Sequence, residues 1–142
     1  MKESNFQTLW HKYLEDNPPD YPEVYELKIC KTNRFPFSAV KEHQIDGLIQ
    51  AEKGLFYKIS DSPIFAGMKT RFTAKKPFDC LWIKADAYVC ILFYIPRQPK
   101  IVAKIPITYF SSMVADFDRK SATLEEIINY CGKEVRIDLN AK

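Results

Sequence analysis

Between residues 24 and 31 apolar and polar positions alternate, with Tyr25, Leu27 and Ile29 on one face of an extended chain and Glu26, Lys28 and Cys30 on the other. That period predicts a strand. Before it, Phe6, Leu9, Trp10, Tyr13 and Leu14 recur at helical spacing behind a Ser4/Gln7 capping box, which predicts a helix over about residues 5–16. The run 17–22, NPPDYP, ends that helix because proline removes donors and biases its predecessor away from helical backbone. After the strand, Val40, Ile45, Leu48 and Ile49 form a core stripe for a second helix, from Ser38 as N-cap to about Glu52, with Gly54 closing it. Residues 55–60 read as another strand, completing a strand-helix-strand unit. Two apolar runs, 78–83 and 88–95, flank residues 84–87 as a hairpin that Pro96 and Pro99 end. Residues 101–107 suggest an edge strand interrupted by Pro106. Thr123 with Glu126 forms another capping box, for a short helix over 124–130 closed by Gly132, and residues 135–139 alternate as a last strand.

The length of 142 residues suits one domain, residues 1–142, and 46% hydrophobic content with only four glycines predicts a packed globule. Neither an apolar leader at the N-terminus nor an apolar run near 20 residues is present, so a soluble, intracellular protein is expected, with no membrane partner. Cys30, Cys80, Cys90 and Cys131 lack metal-binding spacing, and three of them lie in apolar runs as small hydrophobes. The net charge of +3 decides little, but its distribution does more. Residues 62–78 hold no acid, yet carry Lys69, Arg71, Lys75 and Lys76 among Phe65, Phe72 and Phe78. A basic segment with aromatic interruptions suits a nucleic-acid backbone, and these four cations with Arg34 are the candidate contacts. Taken alone, the segment is as well explained as a solvated loop.

Phosphodiester hydrolysis by water is promoted by a hard divalent cation, which takes a few carboxylate oxygens and keeps several waters. A strand bearing Glu-x-Lys presents one carboxylate and one ammonium on the same face, as Glu26-Leu27-Lys28 does. In isolation such a pair is simply what a solvated strand face looks like. Asp118-Arg119-Lys120 fits the same pattern without surrounding alternation and reads as a charged turn. For a second carboxylate, Asp20 and Asp79 compete. Asp20 stands only six residues before Glu26, whereas Asp79 opens the predicted strand 78–83, and Asp79 is preferred.

The run YELKI at 25–29, the segment FPFSAVKEHQ at 35–44 and the strand after it resemble the core of PD-(D/E)XK nucleases, in which Glu-x-Lys precedes a helix carrying Gln. Within that superfamily the chain looks most like Holliday-junction resolvases of the archaeal and Gram-positive type and their phage-encoded relatives. The resemblance covers about residues 5–95 and leaves 96–142 as a C-terminal extension. It implies an α/β (α+β) fold in which a restriction-endonuclease-like central mixed sheet is flanked by helices. It also implies a Mg²⁺- or Mn²⁺-dependent endonuclease, homodimeric and acting on branched DNA. Glu26 and Asp79 would then be metal ligands, Lys28 would orient water or stabilise transition-state charge, and Gln44 would support the site. Motif order departs from the family, because Asp79 follows Glu-x-Lys, and Cys90 and Leu92 stand where Glu and Lys normally come after the Asp. The hairpin over 78–95 would then be a permuted form of the family's first strands.

The first helix of such enzymes often adds an acidic or amide group, for which Gln7 and Glu15 are candidates, though helical spacing does not align them. His43, beside Gln44, is a candidate phosphate contact against the commoner role of a surface histidine as polar cover. The aromatic stretch 109–113 is a candidate dimer face. The rival expectation is a non-catalytic nucleic-acid-binding module, and restriction-type or exonucleolytic enzymes share the same core.

Overall fold

The computed structural model describes residues 1–58 and 78–140. In chain order the elements are α1 (Glu3–Asp16), β1 (Glu23–Cys30), β2 (Arg34–Pro36), a 3-10 turn (Phe37–Ala39), α2 (Glu42–Lys53), β3 (Leu55–Lys58) and β4 (Cys80–Ile83). There follow β5 (Asp86–Phe93), β6 (Ile101–Pro106), α3 (Ile107–Asp116), β7 (Ser121–Thr123), α4 (Leu124–Cys131), a second 3-10 turn (Lys133–Val135) and β8 (Arg136–Asp138). A mixed four-stranded sheet in the order β1-β5-β6-β8 lies at the centre, with β1 parallel to β5 and the other pairs antiparallel. This is an α+β arrangement, a central mixed sheet flanked by helices.

Both faces of that sheet are covered. On one, Phe6 and Trp10 of α1 pack with Cys90, Leu92 and Val102, backed by Tyr25, Leu27 and Ile29. On the other, Val89, Ile91, Ala103 and Ile105 meet residues of α2, α3 and α4, among them Leu48, Phe110, Met113 and Ile127. A strand buried on both sides reads as a continuous apolar run, which is why β5 carries Ala87 through Phe93 with hardly a polar side chain. Each fully buried Leu, Ile or Phe contributes about 1.5–3 kcal/mol relative to exposure.

That demand for two covered faces overturns the hairpin expected over 78–95. β5 lies between β1 and β6, while β4 pairs antiparallel with β3 in a separate two-stranded ribbon. The link from β4 into β5 is tied elsewhere: Ala85 N–H donates to Ala51 O at 3.1 Å, and the N–H of Asp86, the first residue of β5, to Pro22 O at 3.0 Å. The strand-helix-strand unit is likewise not one sheet, since β3 leaves it for the ribbon. β6 is an inner strand and not an edge, and Pro106 is harmless there as its last residue and the N-cap of α3. Residues 101–138 therefore supply two of the four central strands, and 96–142 is no appendage to a core of 5–95. In the stretch 109–113, Phe110 and Met113 are fully buried against the sheet, while Tyr109, Ser111 and Ser112 are exposed.

The helix starts also shift. α1 begins at Glu3 behind Lys2, whose N–H donates to Asn5 Oδ1 at 3.3 Å, so Ser4 is not its cap. α2 begins behind Lys41, because buried Phe37 and Val40 hold residues 37–39 in a 3-10 turn and Ser38 falls inside it. The Thr123/Glu126 capping box is present as expected, with Glu126 N–H to Thr123 Oγ1 at 3.1 Å and Thr123 N–H to Glu126 Oε1 at 3.2 Å. Gly54 (φ +111°) and Gly132 (φ +104°) close α2 and α4 in a backbone region that favours glycine. A Cβ on Gly54 would also run into the Trp82 indole.

Candidate active site

β1 is an edge strand among the described residues, hydrogen-bonded only to β5. Its register sets Glu26 opposite Val89 and Lys28 opposite Ile91, both fully buried. Glu26 and Lys28 therefore do not lie on a solvated face. They stand at the rim of the larger core, under α2, where the open edge of the strand gives them partial access to water. Their side chains are 27% and 14% exposed, and Lys28 Nζ lies 3.4 Å from Glu26 Oε1.

Gln44 completes the group. Its Nε2 donates to Glu26 Oε1 at 2.9 Å, while its Oε1 accepts the Lys41 N–H at 2.9 Å. The third residue of α2 thus satisfies the helix start and reaches the carboxylate on β1 with the other end of one amide. Because both ends of the amide are engaged, its orientation is fixed, and with it the position of Glu26 Oε1. Three residues that the sequence singled out, Glu26, Lys28 and Gln44, come together in space from two elements.

Other candidates are placed elsewhere. Asp79 immediately precedes β4 at the outer end of the ribbon, where Cys80 pairs with Lys58. Strand pairing does not set it beside Glu26, since the neighbour of β1 is β5. Asp20 is exposed in the link before β1. Gln7 and Glu15 are exposed on α1, which covers the opposite face of the sheet from Glu26, and Glu15 pairs with His11 at 3.2 Å. Neither joins the site. His43 is exposed on α2 next to Gln44. Lys69, Arg71, Lys75 and Lys76 lie outside the described residues.

Arg34, a candidate nucleic-acid contact, is engaged within the fold. Its Nε donates to Ser121 Oγ at 3.1 Å and its Nη2 to Ser121 O at 3.2 Å, while Nη1 meets Glu126 Oε1 at 2.8 Å. All three nitrogens serve the β2–β7 pair and the start of α4. The Glu126 carboxyl is held below its ordinary pKa by the Thr123 N–H first, with Arg34 adding to the effect.

A second polar group on β1 escaped the sequence reading. Glu23 Oε1 accepts from Lys104 Nζ at 2.7 Å and from Tyr25 Oη at 2.6 Å. Lys104 also lies 4.3 Å above the Tyr88 ring, a cation–π arrangement. Burial, then the nearby Glu23 charge, pushes the Tyr88 phenol up to about 12, and burial with the Glu23 hydrogen bond pushes Tyr25 up as well. The available signal was one lysine inside the apolar run IVAKIP of β6. At the other end of α2, Glu52 Oε2 accepts the Ala87 N–H at 3.1 Å and secures the start of β5.

No group of three or more His, Cys, Asp or Glu side chains that could hold a metal ion occurs among the described residues. Glu26 offers one carboxylate, with Oε1 engaged by Gln44 and Lys28. One or two carboxylates suffice for Mg²⁺, which keeps waters and takes phosphate oxygens for the rest of its shell. The donor chemistry therefore fits a hard cation with Glu26 as one ligand and is too sparse for an all-protein cage. Comparison with family models, with curated proteins and with solved structures finds no match.

Proposed function

We propose that the chain is a metal-dependent DNA endonuclease of the PD-(D/E)XK type, acting as a homodimer on branched DNA such as a four-way junction. The supporting observation is the Gln44–Glu26–Lys28 group: a partly buried carboxylate whose position is fixed by an amide from the next helix, with an ammonium two residues away on the same face. Glu26 keeps partial access to water at the open edge of the sheet, where a cation and a phosphate could reach it.

In this reading Glu26 would be the carboxylate that holds Mg²⁺ or Mn²⁺, and the ion would supply charge neutralisation on the phosphate and a more acidic water. Lys28 presents a cation to the same phosphate, steadying the negative charge that grows on its oxygens. Gln44 is a positioning residue: it keeps Glu26 Oε1 in place and touches no substrate itself.

Incubation of purified protein with Mg²⁺ or Mn²⁺ and a mobile four-way junction, against a matched linear duplex, tests the reading. Cleavage favouring the junction, lost in Glu26→Gln and Lys28→Ala, is expected. Intact junction, flap and duplex in both metals would reduce the chain to a non-catalytic binding module. Cleavage that survives Lys28→Ala would place the site elsewhere.

A further inference from the structure

The β3–β4 ribbon carries the most exposed aromatic pair in the described structure. Phe56 and Trp82 are 62% and 65% exposed, and they are direct cross-strand partners, so both rings stand on one face. Lys58, two residues from Phe56 on that same face, is exposed about 7 Å further along the strand. A two-stranded ribbon is marginal by itself in water, and large apolar surface left in solvent marks a contact site.

The charges around this face select its occupant. Neither β3, LFYK, nor β4, CLWI, contains an acid; exposed Lys58 ends β3, exposed Lys84 follows β4 and exposed Lys53 precedes Gly54 and β3, against one carboxylate, Asp79, just before β4. Two copies of the face would bring those lysines against each other. A polyanion whose aromatic rings are free to stack brings complementary charge and complementary shape. We infer that Phe56 and Trp82 form a stacking platform for unpaired bases of a DNA strand, with Lys58 meeting the adjoining phosphate. Paired bases are already stacked within the duplex, so the platform would select the unpaired nucleotides found at a branch point. The inference rests on the proposed action on DNA and adds the element that recognises strand opening.

Trp82 reports directly on the event, since the only other tryptophan, Trp10, is buried between α1 and the sheet. The wild-type protein is titrated in EDTA with an oligothymidylate of about 16 nucleotides. Quenching of tryptophan emission is expected, absent in Trp82→Ala, together with a loss of single-strand affinity of about tenfold in Trp82→Ala and in Phe56→Ala. Affinity for blunt linear duplex should change far less. Unchanged emission, or equal losses for single strand and duplex, overturns the platform. Self-association that Trp82→Ala abolishes assigns the face to a second copy and overturns it too. Because EDTA excludes cleavage, the two proposals separate: quenching by a protein that cuts nothing leaves the platform standing and sinks the nuclease, whereas junction cleavage without quenching does the reverse.

Discussion

β1 carries two glutamates three residues apart, each paired with a lysine, and they are built for different ends. Glu23 faces α1, takes two hydrogen bonds of 2.6 and 2.7 Å, and its lysine lies over an aromatic ring. Glu26 faces α2, meets its lysine at 3.4 Å, and has its other partner in an amide that also serves a helix start. Glu23 Oε1 is closed by two short hydrogen bonds, from β1 and β6, while Glu26 is held in place yet open at the sheet edge. A cluster satisfied from within stabilises a fold. A positioned carboxylate with loose electrostatic pairing keeps capacity for something the chain does not itself supply.

The largest expected effect breaks this comparison on the functional side. Glu26→Gln keeps an acceptor for Gln44 Nε2 and removes the charge, so cleavage of a four-way junction per folded molecule should fall by about 10³-fold, with a smaller loss of stability than Glu23→Gln because the Lys28 contact is the longer one, 3.4 Å against 2.7 Å. Rates measured at saturating Mg²⁺, with urea unfolding of the same preparation, check both halves. Retained cleavage would make Glu26 as structural as Glu23.

Glu23→Gln should do the opposite. Leaving Lys104 without its counter-charge in a mostly buried site costs about 2–4 kcal/mol of stability. Activity per folded molecule stays at the wild-type level. Urea midpoints measure the first, and junction cleavage at a temperature where the variant is folded measures the second. A folded but inactive Glu23→Gln would move the catalytic site to the α1 face.

The sequence made one of these two clusters legible and hid the other, for a physical reason. Glu26, Lys28 and Gln44 were readable because strand alternation and helix placement are local patterns, and a resemblance linked the two segments. Glu23 with Lys104 joins residues 81 positions apart through strand order, which no local period encodes. The same limit explains the errors in strand pairing. The runs before and after residues 84–87 look like a hairpin by spacing, but the burial of β5 on both faces places it at the centre of the sheet. Arg34 looked like a free cation because its partners, Ser121 and Glu126, lie far away in sequence.

A smaller effect sharpens the Glu23 side. The folded-state pKa of Tyr88, about 12, lies above its ordinary value of 10.0, so burial of the neutral phenol contributes stability that is complete below pH 10. That contribution is lost as pH rises from about 10 through about 12, and Tyr25 acts in the same direction. Unfolding midpoints should therefore fall across this window, and Tyr88→Phe, having no phenol to ionise, should flatten the fall. An unchanged slope in Tyr88→Phe would locate the alkaline sensitivity outside this cluster.

The smallest effect concerns a third carboxylate–cation pair, Arg34 with Glu126, which resembles Glu23–Lys104 in being internally satisfied but lies nearer the surface. Half-exposed ion pairs contribute little, so most of what Arg34 does is donate to Ser121 and tie β2 to β7. Arg34→Ala should lower the melting temperature by less than Glu23→Gln does and leave the Kd for duplex DNA within about twofold, since a lost phosphate contact would also reduce the salt dependence of binding. Thermal melts and binding isotherms at two salt concentrations distinguish the roles. A clear loss of affinity with a shallower salt slope would return Arg34 to the DNA-binding surface and show that an internally satisfied guanidinium can be released to a stronger anion.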